Sequence, residues 1–344
     1  MHFSPYMFAI LLLSFVICIL VTRALIILLP KWGLVDAPEA RRQHKKITPR
    51  GGGAAVLIAF TIGFSLIDYF WLQNTYTTNL LIPLWIIGLI SIRDDISHVN
   101  VVIRLLLQLV IAAYLVYALL LPYQLFHGEL SQIMDFIMAF IAFAGFMNIY
   151  NFMDGMDGMT VSQSMHLSIT MLILAFLRYD VILHVELVIA IASLILVCSI
   201  AFAIYNWHPA YIFLGDVGSM TFGVLIGLAL MLIAASSERL FVATIIASMY
   251  YLVDGGMVIL IRTDVNPIAR FLRGEKQIWQ PHLQHFFQQA IRKRLPYKKI
   301  MTEIILCNYW LMMLSIGSLF YPVISLLLAI LIVTRVMIKF SEKD

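Results

Sequence analysis

The sequence predicts an all-α, polytopic integral membrane protein of about eleven transmembrane helices, with the N-terminus outside and the C-terminus in the cytoplasm. Three observations predict it. Of 344 residues, 62% are hydrophobic and only 12% charged, with a mean hydropathy of +0.94, a composition that no soluble globule carries. The apolar residues fall into runs close to the roughly 20 that a bilayer asks of a helix. The Lys and Arg residues between those runs lie overwhelmingly on alternate loops, as the retention of basic segments in the cytoplasm requires.

In chain order the expected spans are 7–29, 53–72, 80–92, 102–121, 131–150, 162–179, 184–205, 218–235, 240–261, 300–319 and 321–338. The first run has only His2 before it and no A-x-A-like cleavage site after it, so it is expected to be a retained helix. A basic loop over about 30–52 returns through Gly51-Gly52-Gly53 into the second span. The third ends at Asp94-Asp95, and the fourth carries Arg104 and Gln108 one turn apart on a shared face. The fifth runs into an Asn- and Asp-rich stretch, the eighth is opened by Phe213-Leu-Gly-Asp216, and the ninth contains Asp254. Cys18, Cys198 and Cys307 lie inside apolar runs and read as small packed hydrophobes, with neither disulfide nor metal spacing.

With the N-terminus outside, the inner segments hold twenty of the 23 Lys and Arg residues. Arg178 and Arg239 fall outside, and Arg23 lies within the first span, near enough to its inner end to snorkel. This orientation puts the loops at about 30–52, 93–101, 151–161, 206–217 and 262–299 on one side, within a single domain covering 1–344. The acidic clusters then share a cytoplasmic face.

Asp94-Asp95 alone would suit an ordinary polar turn, yet adjacent carboxylates beside lipid repel one another unless a cation or an Arg compensates. Mg²⁺ is the economical cation, because it combines a few carboxylates with phosphate oxygens. In Asn148-x-x-Asn151-x-x-Asp154-Gly-x-Asp157-Gly the polar side chains recur every three residues, which would align them along a helix or its frayed end. A capped helix end explains one Asp and one Gly there, not the whole set. Phe213-Leu-Gly-Asp216-Val-Gly-Ser219 places glycines ahead of a helix N-terminus, where backbone N–H groups suit phosphate and Asp216 suits a metal. In the longest polar segment, Pro281-His282-Leu-Gln-His285 follows Arg270, Arg273 and Lys276. Its histidines can donate to phosphate, although most of the loop's charge is that of any cytoplasmic loop. Asp254 reads equally as a functional acid or as a polar tie between helices.

Together these motifs resemble the polyprenyl-phosphate N-acetylhexosamine-1-phosphate transferase family, in its WecA- or WbpL-like branch. The most specific element is the Asn148-to-Gly158 stretch followed by Phe213-Leu-Gly-Asp216-x-Gly-Ser219. The resemblance implies transfer of an N-acetylhexosamine 1-phosphate from a UDP-sugar to undecaprenyl phosphate, with release of UMP, in the bacterial inner membrane with the active site facing the cytoplasm. It implies Mg²⁺, or Mn²⁺ in its place. Asp94 and Asp95 become the catalytic candidates, with Asp95, Asp216 and Asp154 at the metal. Lys45, Arg104, Asn151, Asp154, Asp157, Phe213, His282 and His285 become substrate-binding candidates, Phe213 as the residue stacking on uracil. The partners implied are the lipid phosphate, the UDP-sugar and membrane lipid, not nucleic acid; a homodimer is left open.

The chain departs from the family's histidine-rich loop at Gln284, which cannot carry positive charge. Gly274 to His282 resembles transferases that use 6-deoxy sugars. GlcNAc is therefore the first expectation, FucNAc or QuiNAc next, and MurNAc-pentapeptide third, as the start of O-antigen or similar envelope polysaccharide synthesis. Direct attack by the lipid phosphate is expected over a covalent aspartyl intermediate. A cation-coupled transporter is the rival from another class, but no paired repeat is visible and the acids lie at helix ends instead of the bilayer midplane.

Overall fold

A computed structural model describes residues 5–36, 47–73, 75–97, 99–121, 123–262 and 285–341. Lys45, His282 and Gln284 therefore lie outside the described residues. The long helices are α1 (Met7–Lys31), α2 (Gly53–Phe70), α3 (Thr77–Ile96), α4 (Val101–Leu120), α5 (Gln132–Phe152), α6 (Met159–Leu177), α7 (Val185–Asn206), α8 (Gly215–Ala234) and α9 (Glu238–Arg262). A short α10 (Phe286–Arg292) precedes α11 (Tyr297–Gly317) and α12 (Pro322–Ser341). Two-residue strands β1 (Val35–Asp36) and β2 (Thr48–Pro49) pair antiparallel beyond the end of α1.

Among the described residues, ten helices are long and apolar enough to cross a membrane. The expected third span is α3, which is 20 residues long but continues past the apolar run through Arg93, Asp94 and Asp95. The chain thus keeps its expected count of long helices, while α3 differs from the others by carrying catalytic-type charges in its last turn. The acids stay on the helix because this turn packs onto the start of α8, as shown below.

Helix α8 is the axis of the bundle, and every residue from Val217 to Ala234 is buried. Hydrocarbon tails give helices no hydrophobic reason to associate, so close packing at small residues must do so. The stripe Ser219, Gly223, Gly227 recurs every four residues along α8 and faces α5 running the other way. A Cβ on Gly227 would lie 2.8 Å from the Phe143 ring, and one on Gly223 would lie 3.2 Å from the Met147 backbone. One turn further, Ser219 Oγ donates to Asn151 Oδ1 at 2.6 Å. The register Phe143–Gly227, Met147–Gly223, Asn151–Ser219 therefore carries the end of α5 to the start of α8. At the same level a Cβ on Gly53 would fall 2.1 Å from the Gly218 Cα, so the first turn of α2 rests directly on α8 backbone.

Backbone pairing fixes the approach to α2. Arg50 N donates to Leu34 O (3.1 Å), Phe213 N to Pro49 O (2.8 Å), Gly52 N to Phe213 O (2.9 Å) and Gly53 N to Leu214 O (2.8 Å). Arg50 and Phe213 form a parallel bridge. The glycine-rich return thus lies flat against the turn that opens α8. All three cysteines are free and buried, consistent with packing roles.

Candidate active site

The end of α3, the start of α4, the 47–53 segment and the first turn of α8 meet at one end of the bundle. Arg50 Nε lies 3.0 Å from Asp95 Oδ1, and its Nη2 lies 2.9 Å from Asp216 Oδ1. Arg104 Nη1 lies 2.5 Å from Asp94 Oδ2 and 3.3 Å from Asp216 Oδ2. Asp94 also accepts from the Val99 amide at 2.8 Å, which closes the turn into α4. Residues more than a hundred positions apart form one alternating chain of charge: Asp94, Arg104, Asp216, Arg50, Asp95.

Local backbone makes this convergence possible at Gly215. Its φ of +73° is a left-handed conformation that a Cβ disfavours, and a Cβ there would also lie 2.8 Å from Asp95 Oδ2. The expectation that this glycine turn exposes free N–H groups for phosphate needs correction. The Asp216 amide donates to Asp95 Oδ1 at 3.4 Å, so a carboxylate of the chain itself faces the positive end of α8.

Asp154 lies between α5 and α6 and feels the charges of Asp216, Arg50 and Asp95. Burial first, then the neighbouring carboxylates Asp216 and Asp95, push its pKa up to about 7, while the Thr160 hydroxyl donating to it at 2.6 Å and Arg50 work against that rise. Four carboxylates therefore share this end with two guanidiniums, and Asp154 relieves part of the surplus negative charge by holding a proton.

The donor set fits Mg²⁺ or Mn²⁺. Asp95 is 4% exposed at its side chain, yet its Oδ2 has no partner at hydrogen-bond distance among the described residues. A buried carboxylate oxygen left without a donor is costly unless something else completes it. Among the described residues no three His, Cys, Asp or Glu side chains form a ready metal cage. That suits an ion held by one or two carboxylates with substrate phosphates and water, as Mg²⁺ commonly is.

Beyond Asp154 the structure differs from the expected alignment. Helix α5 stops at Phe152, so Asp154 and Asp157 do not share a helical face with Asn148 and Asn151. Asn148 Nδ2 donates to Ala144 O at 2.8 Å within α5, and Asn151 bonds Ser219. Asp157 turns to a separate cluster: its Oδ2 lies 2.8 Å from His208 Nδ1 and accepts from Ala210 N at 3.1 Å. The Tyr297 hydroxyl donates to Asp157 O at 2.8 Å, and the His208 and Tyr297 rings stack at 4.0 Å. Asn206 bridges the same two loops, accepting from Gly158 N (3.2 Å) and donating to Ile212 O (2.9 Å).

His285 is not at the acidic cluster. It is 4% exposed, and its Nδ1 lies 3.0 Å from Oδ1 of the fully buried Asp254. The Phe286 amide donates to the same oxygen at 3.1 Å. The pair ties α9 to the start of α10, as the polar-tie expectation for Asp254 has it, with Asp254 Oδ2 buried and unpartnered among the described residues, and His285 serves there as a buried anchor. Helix α10 in turn sets the Phe287 ring against Gly155, where a Cβ would lie 2.8 Å away.

Of the expected site residues, Asp94, Asp95, Arg104, Asp154 and Asp216 come together, with Phe213 beside them through its bridge to Arg50. Arg50, Asn206, His208 and Tyr297 were absent from the expected set. Arg50 was legible as the cation inside Thr48-Pro49-Arg50-Gly-Gly-Gly53, whereas the aromatic and amide braces of the Asp157 loop carry no signal in sequence.

Residues 77–234 match the family model described as Glycosyl transferase family 4. The chain is 26% identical over 217 residues to a probable undecaprenyl-phosphate N-acetylglucosaminyl 1-phosphate transferase of Bacillus subtilis (strain 168), an overlap covering 61% of this chain and 58% of that protein. The chain thus spans a little over half the length of that relative. It is also 26% identical over 296 residues to a phospho-N-acetylmuramoyl-pentapeptide-transferase of Chlamydia abortus (strain DSM 27085 / S26/3), covering 78% of this chain and 81% of that protein.

Proposed function

We propose that the chain is a polyprenyl-phosphate N-acetylhexosamine-1-phosphate transferase of glycosyl transferase family 4, in keeping with the family model and relatives it matches, and that it transfers GlcNAc 1-phosphate from UDP-GlcNAc to undecaprenyl phosphate, releasing UMP. The observation that carries this reading is the meeting of Asp94, Asp95 and Asp216 with Arg50 and Arg104 at one end of the bundle, beside Asp154 and Phe213. In the proposed topology that end faces the cytoplasm of a bacterial inner membrane, where a soluble nucleotide sugar and a lipid headgroup can meet.

The reaction joins two anions. A phosphate oxygen attacks the sugar-linked phosphorus of a diphosphate, so positioning and charge neutralisation supply most of the catalysis. Asp95 and Asp216 are the residues that would hold Mg²⁺, with Asp154 near enough to feel their charge, and the ion when bound supplies Lewis-acid neutralisation of the diphosphate oxygens. Arg104 keeps Asp94 and Asp216 oriented. Asp94 stands as the group that orients the lipid phosphate or takes its proton. Phe213 offers a ring for uracil next to the Arg50 backbone. A phosphate monoester with a second pKa near ~6 is already largely dianionic at neutral pH, so direct attack needs little help from a base.

GlcNAc is favoured as the sugar because one named relative is a probable GlcNAc 1-phosphate transferase. The assay that tests the reading gives detergent-solubilised protein undecaprenyl phosphate, Mg²⁺ and, separately, UDP-GlcNAc, UDP-FucNAc, UDP-QuiNAc and UDP-MurNAc-pentapeptide. Lipid-borne sugar with UMP from UDP-GlcNAc is the expected result. Transfer from one of the other donors would replace the sugar and keep the reaction, and transfer from none would reject it.

A further inference from the structure

Three of the four carboxylate oxygens of the Asp95–Asp216 pair are already engaged inside the protein. Asp95 Oδ1 is taken by Arg50 and the Asp216 amide, Asp216 Oδ1 by Arg50, and Asp216 Oδ2 by Arg104. Asp95 Oδ2, buried and without a donor among the described residues, is left over. An ion ligated by both carboxylates must therefore share an Asp216 oxygen with an arginine, and the like charge of ion and guanidinium at one oxygen favours departure of the arginine.

The two arginines are not equally free to yield. Arg104 is 19% exposed and is also bound to Asp94, whereas Arg50 is 38% exposed and, among the described residues, its guanidinium pairs with these two carboxylates. The Arg50 backbone is pinned on both sides, by Leu34 O and by the bridge to Phe213, so its side chain can swing while its root stays put. A guanidinium leaving the carboxylates would remain close to Phe213, whose backbone pairs with that of Arg50 and whose ring is the one proposed for uracil. It would there meet the diphosphate of a nucleotide whose base lies on that ring, in the bidentate manner that Arg suits.

We propose that Arg50 is a resident counter-cation of the Asp95–Asp216 pair, displaced when the divalent cation enters and then committed to the donor diphosphate. The inference rests on the proposed metal-dependent transfer and goes beyond it by giving one residue two successive partners. It makes an uncommon demand: removing Arg50 must improve cation binding and impair catalysis together.

The test measures Mn²⁺ binding without substrate, by electron paramagnetic resonance on purified full-length protein, for wild type, Arg50→Gln, Arg50→Lys and Asp216→Asn, with transfer assayed in parallel. Arg50→Gln is expected to bind Mn²⁺ about tenfold or more tighter, while transfer falls by on the order of 10²-fold, the range for removing one preorganised donor to developing charge. Arg50→Lys, whose point charge cannot bridge both carboxylates, is expected to fall between on both readouts; it also carries the test if the Gln variant fails to fold. Unchanged or weaker Mn²⁺ binding in folded Arg50 variants, with wild-type binding intact and lost in Asp216→Asn, would overturn the inference alone. Absence of Mn²⁺ binding by the wild type would instead reject the metal reading beneath it.

Discussion

Buried aspartates at the two ends of this bundle have opposite surroundings. At one end Asp68, at the close of α2, accepts from the amides of Tyr76 and Thr77 and from the Thr77 hydroxyl. Asp135, at the start of α5, accepts from the amides of Leu125 and Phe126. Both are nearly inaccessible and both bond to groups within ten residues. At the other end Asp95 and Asp216 are held by arginines from distant segments, and Asp95 keeps an oxygen with no donor among the described residues. A carboxylate satisfied by neighbouring amides closes a turn. Carboxylates that crowd together, share cations and remain incomplete are arranged for a ligand.

That contrast is broken most severely by neutralising the incomplete set. Asp216→Asn and Asp95→Asn are each expected to lower transfer by on the order of 10³-fold or more, since several kcal/mol of charge stabilisation are lost at the reacting diphosphate. Detergent-solubilised variants should remain monodisperse, and near-normal turnover in either would remove that residue from the site. Asp254→Ala comes next: it leaves the buried His285 and the Phe286 amide without their acceptor, which costs about 3 kcal/mol, read as a lowered thermal transition. Asp68→Asn and Asp135→Asn are expected to cost about 1–3 kcal/mol of stability while transfer per folded molecule stays unchanged. A large catalytic defect in a well-folded Asp68 or Asp135 variant would erase the distinction between the two ends.

A pH-dependent effect concerns Asp154. With its carboxyl held near 7 in the folded chain and near 3.8 when unfolded, the folded state keeps a proton that the unfolded state has lost between those values. Its contribution to stability in chelator therefore falls as pH rises from about 4 to 7 and is flat on either side. Asp154→Asn should lessen the downward drift of the thermal midpoint across that window; an unchanged drift would place Asp154 in water instead of among the other acids.

The bundle was legible from sequence because hydrocarbon thickness sets the length of each run, and the ends of α3 and α8 were legible because charges stand out against such runs. The convergence of Asp94-Asp95 with Asp216 followed from the topology alone. The Ser219-Gly223-Gly227 stripe that sets α5 against α8 was on the page as glycines but needed the facing Phe143 and Met147 to become a register. His285 could not be placed by its neighbours in sequence, since its partner Asp254 lies 31 residues away across the polar loop. Asp157 was misaligned because a period of three continues through a helix only while the helix lasts, and α5 ends at Phe152.

The central claim is that this acidic end moves a sugar phosphate onto a lipid phosphate. It is tested most directly by following a radiolabelled β-phosphorus of UDP-GlcNAc with undecaprenyl phosphate and Mg²⁺, in wild type, Asp216→Asn and Asp68→Asn. The account predicts label in the lipid phase and unlabelled UMP in water for wild type and Asp68→Asn, with neither for Asp216→Asn. Label remaining with nucleotide in the wild type, or equal transfer by Asp216→Asn and Asp68→Asn, would contradict it.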